Sequence, residues 1–208
     1  MRGPLRPACQ RWLRRSRERT EPGWPAPRLV WPDGTPQPSA WPAPSLLTLA
    51  FEALLLRNLW RRSRLDHLEP TADGYAVAVP CLSGACLLAR RACFESVSGF
   101  DEAFFLYHED WDLCLRARAA GWSCLLVPAA TAAHDRGASA FLDRGEFWRR
   151  YHESRDLLIR KHFRGARRSV ARTLHRLGLR LHAAASQVAG RPEESRHLAA
   201  ALRALPRP

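Results

Sequence analysis

The chain has 208 residues, of which 46% are hydrophobic and 25% charged. This is the composition of a globular protein, and the length suffices for one domain with a buried core. The formal net charge of +13 is confined to the ends, since residues 1–20 carry +6, residues 164–208 carry +8 and residues 21–163 carry −1. Because no aromatic-rich basic motif accompanies this charge, the sequence does not indicate nucleic-acid binding.

Six cysteines are present, and none belongs to a CxxC pair, so their spacing does not indicate a structural zinc site. Five of them lie in apolar runs, where a free cysteine behaves as a small buried hydrophobic residue. No secretory signal precedes them, and we therefore expect reduced thiols in a cytosolic protein. The five are Cys81, Cys86, Cys93, Cys114 and Cys124.

The first part of the chain is predicted to be largely extended. Residues 1–23 are rich in arginine and are expected to form a basic disordered tail. Residues 24–44 repeat a Trp-Pro pair, which predicts an extended connection along the surface. A helix is expected over residues 45–64, with Ser45 as its N-cap. Its apolar run is too short to span a bilayer.

Short strands and helices are expected next. Residues 75–79 predict a short strand, residues 82–89 a buried strand and residues 91–97 a helical turn or two. Residues 122–127 predict an apolar strand closed by Pro128, and residues 141–163 have the polar-apolar pattern of a helix.

The segment after Gly165 is predicted to be a basic amphipathic helix. One face carries Val170, Leu174, Leu177, Leu181 and Val188, and another carries Arg168, Arg172, Arg176 and Arg180. Two interpretations stay open. The helix is either solvated and packed on the domain, or it docks on an anionic membrane, where each surface arginine contributes about 1 kcal/mol.

The most informative segment is acidic. An apolar and aromatic run over residues 104–107 leads into His108, Glu109 and Asp110, and Asp112 follows one residue later. A helix is predicted from here to Gly121, a residue suited to a left-handed stop. Acidic residues in a first helical turn are favoured by the helix dipole alone. Acids beside aromatics are also typical of an enzyme that displays a base in a pocket.

Four short motifs follow one another along this region. They are Ser83-Gly84-Ala85, Gly99-Phe100-Asp101-Glu102 followed by two phenylalanines, Glu109-Asp110-Trp111-Asp112, and His134 with Gly137 and Ser139. Together they resemble the C-terminal half of the catalytic domain of family 2 inverting glycosyltransferases, in the rhamnosyltransferase- and galactofuranosyltransferase-like branch. Ser98 departs from the pattern, which usually has glycine there, and this puts the local geometry of the turn in doubt.

The resemblance implies an α/β fold, namely a partial GT-A (nucleotide-diphospho-sugar transferase) fold that lacks its N-terminal nucleotide-binding strands and is followed by C-terminal helices. It covers residues 24–163 and leaves residues 164–208 as a basic amphipathic helical tail. The family's early nucleotide-binding acid and its Asp-x-Asp have no counterpart before residue 110. We therefore expect either a truncated reading frame or a partner chain that supplies the missing half, because a parallel sheet without its first strands would expose apolar surface.

For the acidic motif, the resemblance implies that Asp110 is the catalytic base, which takes a proton from the acceptor hydroxyl. Glu109 is then expected to contact the acceptor. Asp112 is expected to bind substrate, to hold the helix start or to orient Asp110. Trp111 is a candidate for stacking on a sugar face, although core packing explains it equally well.

For the other motifs, the resemblance implies that His134 is a ligand of a divalent cation, Mg or Mn, which stabilises the leaving diphosphate. Gly84 and Ala85 would let substrate approach the backbone closely, with simple strand packing as the alternative for Gly84. We expect the acidic residues to line a sugar-sized cleft that the imidazole of His134 faces.

The implied function is transfer of a sugar, with inversion, from a nucleotide-sugar donor to a glycan or lipid-linked acceptor in bacterial cell-surface polysaccharide synthesis. The expected location is cytoplasmic, with peripheral contact to the inner face of the plasma membrane through the C-terminal basic helix. The alternative is a non-catalytic remnant of such an enzyme that binds a membrane or a partner protein.

Overall fold

The computed structural model describes residues 21–56, 76–135 and 143–206. It has the mixed α/β character that the sequence predicts. The strands are β1 (Glu21–Val30), β2 (Ala40–Trp41), β3 (Val77–Val79), β4 (Cys81–Leu82) and β5 (Trp122–Ala133), and the helices are α1 (Leu46–Ala53), α2 (Arg91–Ser96), α3 (Glu109–Ala119), α4 (Arg144–His162), α5 (Gly165–Val188) and α6 (Pro192–Ala204).

The chain divides into two compact units. The first takes its described residues from Met1–Trp41, Leu68–Gly99 and Leu113–His134, and the second takes its described residues from Pro42–His67, Phe100–Asp112 and Asp135–Pro208. Helix α3 therefore begins in the second unit and continues into the first.

The first unit is built on a three-stranded sheet. Its central strand is β5, which pairs in parallel with β1 and antiparallel with β3. Strands β2 and β4 form a separate antiparallel pair. The core beneath the sheet joins these strands to α2 and to the later turns of α3, and its least exposed large side chains are Trp24, Leu82, Leu113 and Leu126.

Strand β1 corrects the prediction of a surface connection over residues 24–44. Trp24 and Leu29 are only 2% and 1% exposed, so this stretch is part of the core. Proline is tolerated in an edge strand, because its missing N–H need not serve a second neighbour. In the described sheet β1 lies at one edge, and its pairing with β5 shifts register after Pro22 and after Pro27.

The buried strand predicted over residues 82–89 is also corrected. Strand β4 ends at Leu82, and the chain then turns at Gly84 and Ala85, both of which are exposed. Further on, the backbone N–H of Leu88 donates to Pro25 O at 3.0 Å, and that of Arg90 donates to Gly23 O at 2.9 Å. The apolar run therefore follows the outer edge of β1 with Leu88 69% exposed.

Strand β5 extends beyond its predicted end at Pro128. The pairing passes from Pro27 with Val127 directly to Arg28 with Thr131, so the residues around Pro128 lie in an irregularity of the ladder. Such a bulge leaves residues unpaired and accommodates a proline, which has no N–H to donate.

The N-cap of α1 is the one that the sequence predicts. The Ser45 side chain accepts from the backbone N–H of Thr48 at 3.1 Å, and the Thr48 hydroxyl accepts from the Ser45 N–H at 2.8 Å. This reciprocal pair satisfies two donors that a helix start leaves open. The helix ends at Ala53, well before residue 64, and the predicted residues 57–64 lie outside the described part.

The second unit consists of α1, the beginning of α3, and helices α4, α5 and α6. The hydrophobic contact of α5 with α1 uses Ala171 and Leu174 against Leu49, and Gly178 lies against Ala53. Helix α6 returns along α5 and places Leu198 against Leu179. In the part of the chain that the structure describes, every helix is too short or too polar to cross a bilayer.

Helix α5 buries a different face from the predicted one. Val170 and Leu177 are 46% and 37% exposed, whereas Arg172 is buried. Arg172 donates to Asp156 at 2.9 Å and to the carbonyl of Pro206 at 2.6 Å. The face that carries this buried ion pair therefore packs inward, and only part of the predicted apolar stripe, including Leu174, takes part in the contact. Membrane docking stays a prediction, and Arg172 is not available for it.

Four of the described cysteines are buried free thiols, as expected, and Cys86 is exposed, against expectation. Cys86 belongs to the turn after β4 rather than to a buried strand.

Ser98 supplies a test of the turn after α2. Its φ is +57°, in the left-handed region that glycine adopts without steric cost. We expect Ser98→Gly to raise the free energy of unfolding by about 0.5–1 kcal/mol. Urea unfolding measures the change. The same replacement at Ser96, which lies in α2 and bonds to Trp122 Nε1 at 2.9 Å, should destabilise the protein. A lower stability of Ser98→Gly would contradict the assigned strain.

Candidate functional site

The acidic segment forms the first turn of α3, as the sequence predicts. Glu109, Asp110 and Asp112 lie in that turn, and Arg116 and Arg118 lie in the last turn. This distribution of charge complements the helix dipole at both ends. The helix stops before Gly121, whose φ is +89°.

The two residues before this helix have a strained backbone. Tyr107 and His108 have φ values of +64° and +65°. Residues other than glycine seldom adopt this region, and each such residue costs about 1–3 kcal/mol unless its surroundings enforce it. Here α4 supplies the enforcing contacts. The Ser154 hydroxyl donates to Leu106 O at 2.8 Å, and the Tyr151 ring lies 5.7 Å from the Tyr107 ring and 4.8 Å from the His108 ring.

Glu109 carries a partly desolvated carboxyl group. Its side chain is half-buried, and its Oε2 atom has no hydrogen-bond partner among the described residues. Burial raises the pKa of this carboxyl group above its ordinary value. A carboxylate with a raised pKa is a more effective proton acceptor near neutral pH.

Asp110, the predicted base, is half-buried beside it. Its Oδ1 atom lies 2.8 Å from the backbone nitrogen of Trp111 and accepts that N–H. The Trp111 ring meets His108 edge-on at 5.5 Å, so part of its surface is used in packing. The roles predicted for Asp110 and Trp111 stay predictions.

Asp112 is fully buried, with 0% exposure. Its Oδ1 atom lies 2.8 Å from Lys161 Nζ and 2.8 Å from His162 Nε2, both at the end of α4. A buried carboxylate requires such partners, because desolvation of an unpaired charge is costly. Of the roles expected for Asp112, these contacts favour holding the helix start over binding substrate.

The partners on α4 were not anticipated from the sequence. Lys161 is the only lysine in a chain rich in arginine, and this was the one feature of the sequence that could have marked the position as unusual. Lys161 and Asp112 are 49 positions apart, so no local pattern connects them.

Two buried histidines, His108 and His175, and the half-buried His152 lie in or next to the strained segment. Nδ1 of His152 lies 3.0 Å from Nε2 of His175, and the Tyr151 ring lies 5.1 Å from the His152 ring and 4.8 Å from the His108 ring. Burial, aided by the positive charge of Arg155, lowers the pKa of all three imidazoles. For His152 the pKa falls to about 3.

The remaining predicted residues belong to the first unit. His134 follows β5, and its Nδ1 lies 2.7 Å from Gln37 Oε1, while Gln37 Nε2 donates to His134 O at 3.1 Å. An imidazole that donates from Nδ1 carries its lone pair on Nε2, which is the arrangement usual for a metal-ligating histidine. Gly84 and Ala85 lie in the exposed turn after β4.

The described residues supply only part of a ligand set for a divalent cation. Across residues 21–56, 76–135 and 143–206, no group of three or more His, Cys, Asp or Glu side chains is placed to hold a metal ion. His134 fits the role of a single protein ligand. Gly137 and Ser139, which complete its motif, lie outside the described residues.

Comparison with known proteins yields a family match. The pattern of the family described as "Glycosyltransferase like family 2" matches residues 50–168, more than half of the chain. This range includes the acidic motif, His134 and all of α4.

Individual relatives agree with this match. The chain is 36% identical over 171 residues to the N-acetylglucosaminyl-diphospho-decaprenol L-rhamnosyltransferase of Mycobacterium tuberculosis, which covers 76% of this chain and 54% of the relative. It is 46% identical over 52 residues to the rhamnosyltransferase WbbL of Escherichia coli, covering 25% and 20% of the two chains. The O-antigen biosynthesis protein RfbC of Myxococcus xanthus is 27% identical over 143 residues, covering 64% and 10%. The chain thus spans about half the length of the mycobacterial relative.

The lowered pKa values of His108, His152 and His175 predict loss of stability in acid. Because their folded-state pKa values lie below the ordinary 6.5, the unfolded chain binds more protons as the pH falls. Stability is therefore full above about pH 6.5 and decreases below it. For His152 alone we expect a loss of about 3 kcal/mol by pH 4. Urea unfolding between pH 7.5 and pH 4 measures this.

The contribution of His152 is isolated by His152→Phe, since carboxylates also contribute to acid unfolding. The phenylalanine ring cannot bind a proton, and the variant should lose part of the acid dependence. An identical pH dependence in parent and variant would refute the assignment.

Proposed function

Because the chain belongs to glycosyltransferase family 2, we propose that it transfers a sugar of the rhamnosyl class from a nucleotide-sugar donor to a glycan or lipid-linked acceptor. The observation that carries the proposal is the acidic first turn of α3, which lies inside the matched range and contains a carboxyl group with a raised pKa. The names of the relatives from M. tuberculosis and E. coli support this choice of sugar, and the former supports a lipid-linked acceptor.

The proposed reaction is a single displacement with inversion. A carboxylate takes the proton of the acceptor hydroxyl, whose oxygen attacks the anomeric carbon of the donor. The bond from that carbon to the diphosphate oxygen breaks, and its electron pair leaves with the nucleoside diphosphate. Attack opposite the leaving group inverts the configuration.

Asp110 is the proposed base, and Glu109 is proposed to contact the acceptor. The family motif supports this assignment of Asp110, as the second acid of the pair. The raised pKa and the buried, unpartnered oxygen of Glu109 support the opposite assignment. Asp110 and Glu109 are adjacent in the first helical turn, so substitution is needed to decide between them. Trp111 is proposed to present part of its ring to a sugar, and Gly84 and Ala85 to let substrate approach the backbone.

A divalent cation, Mg or Mn, is proposed to neutralise the leaving diphosphate, with His134 as one ligand. The contact of Nδ1 with Gln37 supports this, because it fixes the ring and leaves Nε2 for coordination. Phosphate oxygens of the donor are the ligands that a hard cation prefers. The nucleotide-binding acids are proposed to come from the rest of the family's domain, on the same polypeptide or on a partner chain.

The base is tested by Asp110→Asn and Glu109→Gln in the protein expressed from its complete gene. If Asp110 is the base, its substitution should lower kcat by about 10²–10⁴-fold and leave donor affinity intact. Glu109→Gln should then mainly raise the KM for the acceptor. Steady-state transfer and donor titration measure these effects.

The reverse pattern would assign the base to Glu109. In that case the acidic limb of the kcat/KM profile lies at higher pH than for an ordinary carboxylate, because burial raises the pKa of Glu109. Glu109→Gln would abolish that limb. Normal turnover by both variants would reject the acidic turn as the catalytic site.

The metal assignment is tested by His134→Ala. We expect Mn²⁺ to bind at least about tenfold more weakly, and Gln37→Leu to give a smaller loss in the same direction. Titration of Mn²⁺ followed by electron paramagnetic resonance measures the affinity directly. His197→Ala, an imidazole on α6, is the matched control and should leave the affinity unchanged. An unaltered titration curve for His134→Ala would remove it from the metal site.

A further inference from the structure

Lys161 joins two of the family motifs within the second unit. Its Nζ lies 2.5 Å from Asp101 Oδ2 and 2.8 Å from Asp112 Oδ1. The ammonium group also lies 5.3 Å from the centre of the Phe104 ring, a favourable cation–π position. One side chain of α4 therefore contacts both ends of the segment over residues 101–112.

Each of the two acids is itself fixed. Asp101 accepts the backbone N–H of Ala103 through Oδ1 at 2.9 Å, which fixes the turn that contains it. The hydrogen bond from Lys161 is the largest cause of the lowered pKa of Asp101, so this carboxylate is the ionised partner of the Lys161 ammonium group. Asp112 receives a second bond, from His162, and its backbone N–H donates to His108 O at 2.9 Å.

The segment between these two acids contains the proposed machinery. Tyr107 and His108 occupy the left-handed region, and Glu109 and Asp110 follow directly. A strained turn keeps its conformation only when the surrounding contacts determine it. A cation that holds both ends limits how far the turn can relax and therefore how far the two acids can move.

We propose that Lys161 is a positioning residue that fixes the orientation of Glu109 and Asp110 by bridging Asp101 and Asp112. The inference rests on the proposed sugar transfer. Lys161 touches neither acid of the proposed pair in any described contact, and it acts through Asp101 and Asp112. An ammonium suits this role, because its three donors are compact and can serve two carboxylates at once.

Helix α4 supplies a matched control one residue earlier. Arg160 donates to the buried carboxylate of Asp156 at 3.0 Å, and Asp156 keeps a second cation in Arg172. Lys161→Met likewise removes one of two partners from a buried carboxylate and leaves His162 on Asp112. Arg160→Met therefore controls for the loss of an α4 cation from a buried carboxylate, whereas Lys161→Met also removes the partner of Asp101.

The experiment compares Lys161→Met, Lys161→Arg and Arg160→Met in the protein expressed from its complete gene. We expect Lys161→Met to lower kcat by about 10²-fold with little change in the KM for the donor, because small misplacements of catalytic groups have effects of this size. Lys161→Arg keeps the charge and should recover most of the rate. Arg160→Met should keep the parental kcat even if its unfolding temperature falls as far as that of Lys161→Met.

A readout independent of activity is the ¹⁹F resonance of 5-fluorotryptophan at position 111, assigned with Trp111→Phe. The resonance should shift or broaden in Lys161→Met and not in Arg160→Met. Parental kcat and an unmoved resonance in Lys161→Met would overturn the proposal. If Lys161→Met does not fold, Asp101→Asn removes one side of the bridge and should show the same two changes in smaller degree.

Failure of the proposed function has a different signature. Absence of sugar transfer by the parent protein would overturn the sugar transfer alone, and the ¹⁹F comparison would still decide whether Lys161 positions the acidic turn.

Discussion

The acidic turn of the second unit is held against α4 by the burial of one carboxylate, that of Asp112. Asp112 has 0% exposure and is paired with Lys161 and His162. Removing a charge from water is unfavourable unless geometry and partners compensate, so this group determines how α4 lies against the acidic turn. Tyr151 and Ser154 contact the same segment from the same helix. Residues 151, 154, 161 and 162 recur at helical spacing, and one face of α4 therefore supports the whole turn.

The acidic helix and its stop could be predicted because their signals are local. Acids in the first turn, arginines in the last turn and Gly121 after it are adjacent in sequence and act over a few residues. The same holds for Ser45 and its helix. The ion pairs of Asp112 could not be predicted in this way, since His162 lies 50 positions away and single-sequence patterns carry no information at that distance.

Two errors of the sequence analysis have one physical cause. The prolines of β1 and the apolar run after Leu82 were interpreted by their own preferences, one as a connection and the other as a buried strand. Their positions relative to the sheet decide otherwise. An edge strand tolerates proline. The segment after Leu82 pairs with that edge through two isolated hydrogen bonds, and its Leu88 side chain is exposed. In helix α5, the pairing of Arg172 with Asp156 changes which face is buried.

The left-handed conformation of Tyr107 and His108 restricts which substitutions this region can accept during evolution. Asparagine and aspartate enter that conformation readily, whereas a β-branched side chain clashes with its own backbone there. Exchange of His108 for valine would preserve an apolar, buried position and still be poorly accepted, while asparagine would be tolerated by the main chain. At Tyr107 and His108, the backbone torsion angles therefore decide which substitutions are accepted more strongly than the hydrophobicity of the side chain does.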